Sequence, residues 1–204
     1  MKSADPTTCF DQNPLECRRK ILVAANDLIS EIGFDRTTMG MVAEKSGISL
    51  KMLTGRFSDK QQILDELVGH HLNILEGIRA LTRSDPASSP LQCMKREWKL
   101  MCEYMNTYQG TVLAYQQNQP MVATRVQDRI KRLRDQDVEL LEKACALREL
   151  PRTNTASLEA VLHGTLWTLI LESVQEQEYG DFATIPDMLA LRVLVPLIHQ
   201  DRVN

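Results

Sequence analysis

The chain has 204 residues, of which 43% are apolar and 25% charged, enough for one ordinary domain or two small ones and too average for a fibre or a wholly disordered chain. Its 24 basic residues against 27 acidic ones leave a net charge of -3, which excludes attachment to nucleic acid through bulk positive charge while leaving a local basic patch open. Leu occurs 27 times against 12 Val, with only 9 Gly and 8 Pro, a balance that favours helix over sheet.

Residues 1–15 are polar, contain two prolines and no apolar h-region, and read as a loose leader without a secretory signal. From Arg18, Ile21, Leu22, Ala25, Leu28, Ile29 and Ile32 recur at helical spacing until Gly33. A short helix fits 38–45, with Thr37 or Thr38 as its cap and Gly47 beyond its end. A third follows the N-cap Ser49 and runs to about Phe57. Ser58-Asp59-Lys60 opens a long helix to about Thr82, and the Pro- and Ser-rich stretch 83–90 interrupts the pattern. Amphipathic stretches at about 91–107, 111–117 and 121–148 come next, then a break at 150–154 and two helices at about 155–177 and 184–199. The expectation is an all-α chain of about nine helices, with no stretch near the roughly 18 apolar residues of a membrane span.

Five cysteines, odd in number and without a Cys-x-x-Cys pair, argue against a disulfide framework or structural zinc site and for reduced thiols in a cytoplasmic protein. Cys102 and Cys145 read as small core residues. His70 and His71 are adjacent and point about 100° apart on a helix, so they are not a metal pair. No metal or cofactor is expected. Without a Gly-rich phosphate loop, metal-ligand spacing or a nucleophile-base set that sequence can bring together, the chain does not read as an enzyme.

Residues 37–57 carry the most specific pattern. Two short helices meet across Gly47, small Ala43 sits at the close approach, and Val42, Ile48, Leu53 and Phe57 supply inner faces. That is a helix-turn-helix, whose second helix enters the DNA major groove with Leu50, Lys51, Met52, Thr54, Gly55 and Arg56 exposed. Charge segregates accordingly: residues 18–60 hold eight Lys/Arg against five Asp/Glu (+3), and 61–204 hold 15 against 19 (-4).

The run Arg18-Arg-Lys-Ile-Leu-Val-Ala-Ala, Gly33-Phe34-Asp, Thr37-Thr38, Val42-Ala43, Gly47-Ile48-Ser49 and Phe57-Ser-Asp-Lys60 resembles the N-terminal domain of the tetracycline-repressor (TetR) family of bacterial transcription regulators, over about 45 residues. The resemblance implies a helix-turn-helix domain at 16–60 and a helical effector-binding and dimerisation body at 61–204. It places Thr38 and Lys60 at phosphate-touching positions and Ser49, Lys51 and Arg56 on the recognition helix; Thr37, Leu50 and Thr54 complete the expected DNA-binding set. The family commonly carries an aromatic, usually Tyr, at the position of Thr54, often beside another aromatic or His. Thr54 and Gly55 depart from that and imply a looser recognition helix with weaker phosphate anchoring or an unusual operator.

In the body, Leu158, Val161, Leu162, Thr165, Leu169, Leu191, Leu194, Val195 and Ile198 with Gly164 form stripes suited to a homodimer face over about 155–199. Trp98, Met101, Tyr104, Met105, Tyr115, His163 and Trp167 are the candidate lining for a mostly apolar organic effector. The cluster Arg125, Arg129, Lys131, Arg132 and Arg134, interleaved with Asp128, Asp135 and Asp137, reads as a solvated face with i,i+3 and i,i+4 pairs. The expected function is a dimeric repressor of a near-palindromic operator, released by a small effector; the alternative is an adaptor of the same fold acting through a protein partner.

Overall fold

The computed structural model describes residues 13–175 and 182–200; the expected leader, apart from its last residues, lies outside them. The helices are α1 (Pro14–Ile32), α2 (Met39–Ser46), α3 (Leu50–Arg56), α4 (Lys60–Arg83), α5 (Pro90–Asn106), α6 (Gln109–Gln117), α7 (Thr124–Ala146) and α8 (Thr155–Gln175). A C-terminal run follows: α9 (Ile185–Leu189), a π-helical turn (Ala190–Leu194) and α10 (Val195–Gln200), with helical dihedrals at both joins. Counted as one helix, that run brings the total among the described residues to nine, with no strand. No helix among them is long and apolar enough to cross a membrane.

Helix starts follow local chemistry. The Thr38 hydroxyl accepts from Met41 N, Ser49 from Met52 N, and Asp59 Oδ1 from Gln62 N. Ser89 and Gln92 form a reciprocal capping box ahead of Pro90. Helix α1 begins four residues earlier than the apolar period suggests, because Asn13 Oδ1 accepts from Glu16 N and Pro14 suits the first helical position. Gly47 closes α2 in the left-handed region (φ 69°), which a Cβ would oppose.

The chain divides into two compact units, Met1–His71 with Tyr108–Val126, and Leu72–Thr107 with Gln127–Asn204. The division falls inside α4. In the first unit, Cys17, Ile21, Ala25, Leu28, Val42, Ala43, Ile48, Leu53, Phe57 and Ile63 form one buried cluster from α1 to the start of α4. Helix α6 belongs to this unit as well. A Cβ on Gly110 would lie 2.6 Å from Ser30 Cα, so glycine is what admits that approach, and Thr111 Oγ1 donates to Asn26 Oδ1 at 2.8 Å.

The second unit is built around buried charge. The Arg79 guanidinium donates to Glu97 at 2.7 Å and to Asp137 at 3.0 Å, and Arg83 Nε donates to Glu97 Oε2 at 2.8 Å. Glu97 is only 1% exposed, yet two cations and two anions balance the group, and burial still pushes the Asp137 carboxyl up against the pull of Arg79. Arg129 pairs with Glu76 on α4, and Arg134 forms a fork with Glu159 on α8. Two members of the basic face of α7, Arg129 and Arg134, are thus tied to carboxylates of α4 and α8.

Two cysteine findings complete the frame. Cys102 is fully buried, and desolvation pushes its thiol up to about 12, as expected of a core residue. Cys17 is disulfide-bonded, which corrects the expectation of reduced thiols throughout. Count and spacing argue against a framework of several bridges, but a single bridge needs only two Cβ atoms about 4 Å apart.

Helix α7 ends in a Schellman turn: Arg148 N donates to Cys145 O and Glu149 N to Ala144 O. Arg148 holds the left-handed position (φ 59°), usually given to glycine. Replacing it by glycine relieves roughly 1–2 kcal/mol of local strain, offset in part by unfolded-chain entropy, so Arg148→Gly raises stability by about 0.5–1 kcal/mol in urea unfolding. Glu97→Ala leaves buried Arg79 and half-buried Arg83 undercompensated and lowers stability by about 3–5 kcal/mol in the same measurement.

Candidate nucleic-acid interface

Helix α3 has seven residues, and only Leu53 of them is buried. Its caps and that one side chain leave Leu50, Lys51, Thr54, Gly55 and Arg56 exposed on one short surface, with Leu50 48% exposed. The α2 N-terminus presents the exposed cap Thr38, and the α3 N-terminus the half-buried cap Ser49. Backbone N–H groups at such ends are favourable for phosphate oxygens. The Lys51 ammonium has no partner among the described residues, whereas Lys45 is engaged by Glu31 at 2.6 Å.

Several expected residues have structural duties. Thr37 is 3% exposed and its hydroxyl donates to Gly33 O at 2.8 Å, so it holds the α1–α2 turn and has no surface to offer DNA. Lys60 Nζ donates to Phe34 O and Asp35 O, both at 2.9 Å, and lies 4.5 Å from the Phe34 ring centroid. One of its three N–H bonds is left over from those two carbonyls. The Thr54 hydroxyl donates back to Leu50 O and Lys51 O, at 3.0 and 3.2 Å, and is turned toward its own helix.

The effector candidates divide between the units. Tyr115 lies in the first, while Trp98, Met101, Tyr104, Met105, His163 and Trp167 lie in the second. Trp98 and Met105 are buried; Met101, Tyr104, His163 and Trp167 are half-buried. The His163 ring meets Trp167 edge-on, with centroids 6.1 Å apart, and its Nδ1 is 4.0 Å from Glu159 Oε1. Burial and neighbouring Arg134 hold its pKa below the usual histidine value, against the opposing pull of Glu159. Two cavities of the second unit, about 660 and 210 Å³, are lined by other residues. Arg134 and Glu159 were not legible as partners in sequence, since 25 residues separate them.

On α8, Leu158, Leu162, Leu166 and Ile170 are buried, while Val161, Gly164 and Thr168 face outward; Leu191 is 66% exposed. The helix is thus apolar on its covered side and apolar or small on part of its open side.

A Cβ built on Gly55 meets nothing within 4 Å. Gly55→Ala therefore adds helix propensity without a clash and raises thermal stability, by about 0.5–1 kcal/mol; an unchanged or lower Tm overturns the reading of α3 as loosened by this glycine.

Residues 21–67 match the sequence profile of "Bacterial regulatory proteins, tetR family". No curated protein matches the sequence significantly. Among solved structures, the chain is similar to the fatty acid degradation regulator FadR from Bacillus halodurans (TM-score 0.76, 16% identity, 95% of this chain and 97% of that one). It is likewise similar to the ketosteroid transcriptional regulator KstR2 of Mycobacterium tuberculosis (0.70, 21%, 88% and 94%). Thermus thermophilus FadR, a repressor solved in complex with lauroyl-CoA, matches at 0.62 with 16% identity over 87% and 93%. Residues 21–67 thus match the N-terminal-domain model of the tetR family of bacterial regulatory proteins, and the chain shares the all-helical fold of these solved structures.

Proposed function

We propose that the protein is a DNA-binding transcriptional repressor, acting as a homodimer on a near-palindromic operator and released by a small organic effector. The observation that carries this reading is the short helix α3, capped by Ser49 and anchored by Leu53, with Lys51 exposed and without a partner among the described residues. Thr38, Ser49 and the remaining N–H of Lys60 serve phosphates and fix register; Lys51 and Arg56 face the groove, and exposed Leu50 suits a thymine methyl. Thr54 contributes no hydroxyl outward, which makes phosphate anchoring weaker than an aromatic hydroxyl would supply.

The open side of α8 with Leu191 is the dimer face, and a two-fold dimer reads two half-sites one or more helical turns apart. Trp98, Met101, Tyr104, Met105, His163 and Trp167, all of the second unit, remain the candidate effector contacts. Their composition, and the fatty acid and ketosteroid regulators among the similar structures, support a largely apolar effector. Release is a population shift: the effector favours a dimer whose recognition helices no longer match the groove spacing.

The test is an electrophoretic mobility shift on the DNA flanking the protein's own gene, over a salt series. Lys51→Ala weakens binding and flattens the dependence of log affinity on log salt by about one unit if it neutralises a phosphate. Absence of any shift at micromolar dimer overturns the repressor reading in favour of a protein-partner adaptor.

A further inference from the structure

The 660 Å³ cavity of the second unit is lined by Cys145, Arg148, Glu149, Pro151, Arg152 and Ile198, among others, where α7 ends and α10 passes. Its volume is that of a small-ligand site. None of the effector candidates lines it.

Three observations converge there. First, neither the Arg148 nor the Arg152 guanidinium makes a hydrogen bond or ion pair among the described residues. Second, Glu149, the carboxylate among the described lining residues, is held away from both guanidiniums by a hydrogen bond: its Oε2 accepts from Leu91 N, 3.0 Å away at the start of α5. The described lining thus sets two exposed guanidiniums against one carboxylate, and its net charge is positive. Third, Arg148 occupies the left-handed position of the Schellman turn, where glycine would sit without strain. Backbone strain retained at a cavity wall points to a use for the side chain that it carries. The loop is also held in shape, since the Cys145 thiol reaches Pro151 O at 3.3 Å across the turn.

We infer that this cavity binds a small organic molecule bearing an oxyanion, held by Arg148 and Arg152. Guanidinium forks match carboxylate and phosphate oxygens bidentately, while Leu150, Pro151 and Ile198 offer apolar contact to the rest of the molecule. The site is separate from the proposed DNA-binding surface and does not depend on it.

The test is thermal denaturation of the full chain titrated with inorganic pyrophosphate and, separately, with succinate, each to about 10 mM against potassium chloride of equal ionic strength. A saturable rise in Tm is expected with at least one; pyrophosphate alone identifies a phosphate-bearing ligand, and succinate alone a carboxylate. Arg152→Gln and Arg148→Gly each weaken the apparent affinity about tenfold or more, as loss of a charged hydrogen bond does. Arg132→Gln, on the exposed face of α7, leaves it unchanged. Because Arg148→Gly raises the unliganded Tm, its loss of response is not a failure to fold. Equal responses in wild type and both variants, or no rise beyond the chloride control with either probe, overturn the inference.

Discussion

A seven-residue helix cannot hold itself together in water, and α3 is such a helix. Nucleation fixes several dihedrals before many hydrogen bonds repay it, so α3 exists only because its neighbours hold it. Ser49 closes its first turn, Leu53 fastens its inner side, and Phe57 N donates to Leu53 O at its end. Leu53 in turn needs Val42, Ala43 and Ile48 around it, and these need α1. The consequence for function is a division of labour at helical period. One residue in the helix serves the fold, and the open face is left to chemistry.

The second unit solves a different problem. Its centre includes charged groups from α4, α5 and α7, which hydrophobic packing alone would not align. Glu97 accepts from arginines one turn apart on α4, and Asp137 closes the set from α7. Such a group adds little net stability over an apolar core, but it penalises any register in which a charge loses its partner. The three helices are therefore constrained in rotation as well as in position.

What the sequence made legible follows the range of the rules involved. Thr38, Ser49 and Gly47 were readable because capping and left-handed turns are decided within four residues. The helices of the body were readable from apolar period, whereas α1 begins four residues early because its cap, Asn13-Pro14, is hidden in polar sequence. The duties of Thr37 and Lys60 were not readable. Thr37 is a polar residue in a turn by sequence, and only the fold shows it buried against Gly33 O. Lys60 reaches back 26 residues to Phe34 O. The same limit hid the Arg134–Glu159 fork, the placement of α6 against α1 and the bridge at Cys17.

That limit also explains why counting charges misjudges arginines. By sequence, Arg125, Arg129, Lys131, Arg132 and Arg134 read as one solvated basic face. In the structure, Arg129 and Arg134 are neutralised by carboxylates of other helices, and Arg79 and Arg83 by Glu97 and Asp137. Each of these spends its charge on the fold. Arg148 differs twice over: no carboxylate among the described residues pairs with its guanidinium, and its backbone takes a conformation that glycine would hold more easily. An arginine there weakens the turn and adds nothing to the packing described, so its charge is what distinguishes it from glycine. Charge that a fold does not use, placed on a cavity wall beside a second such group, is available to a ligand.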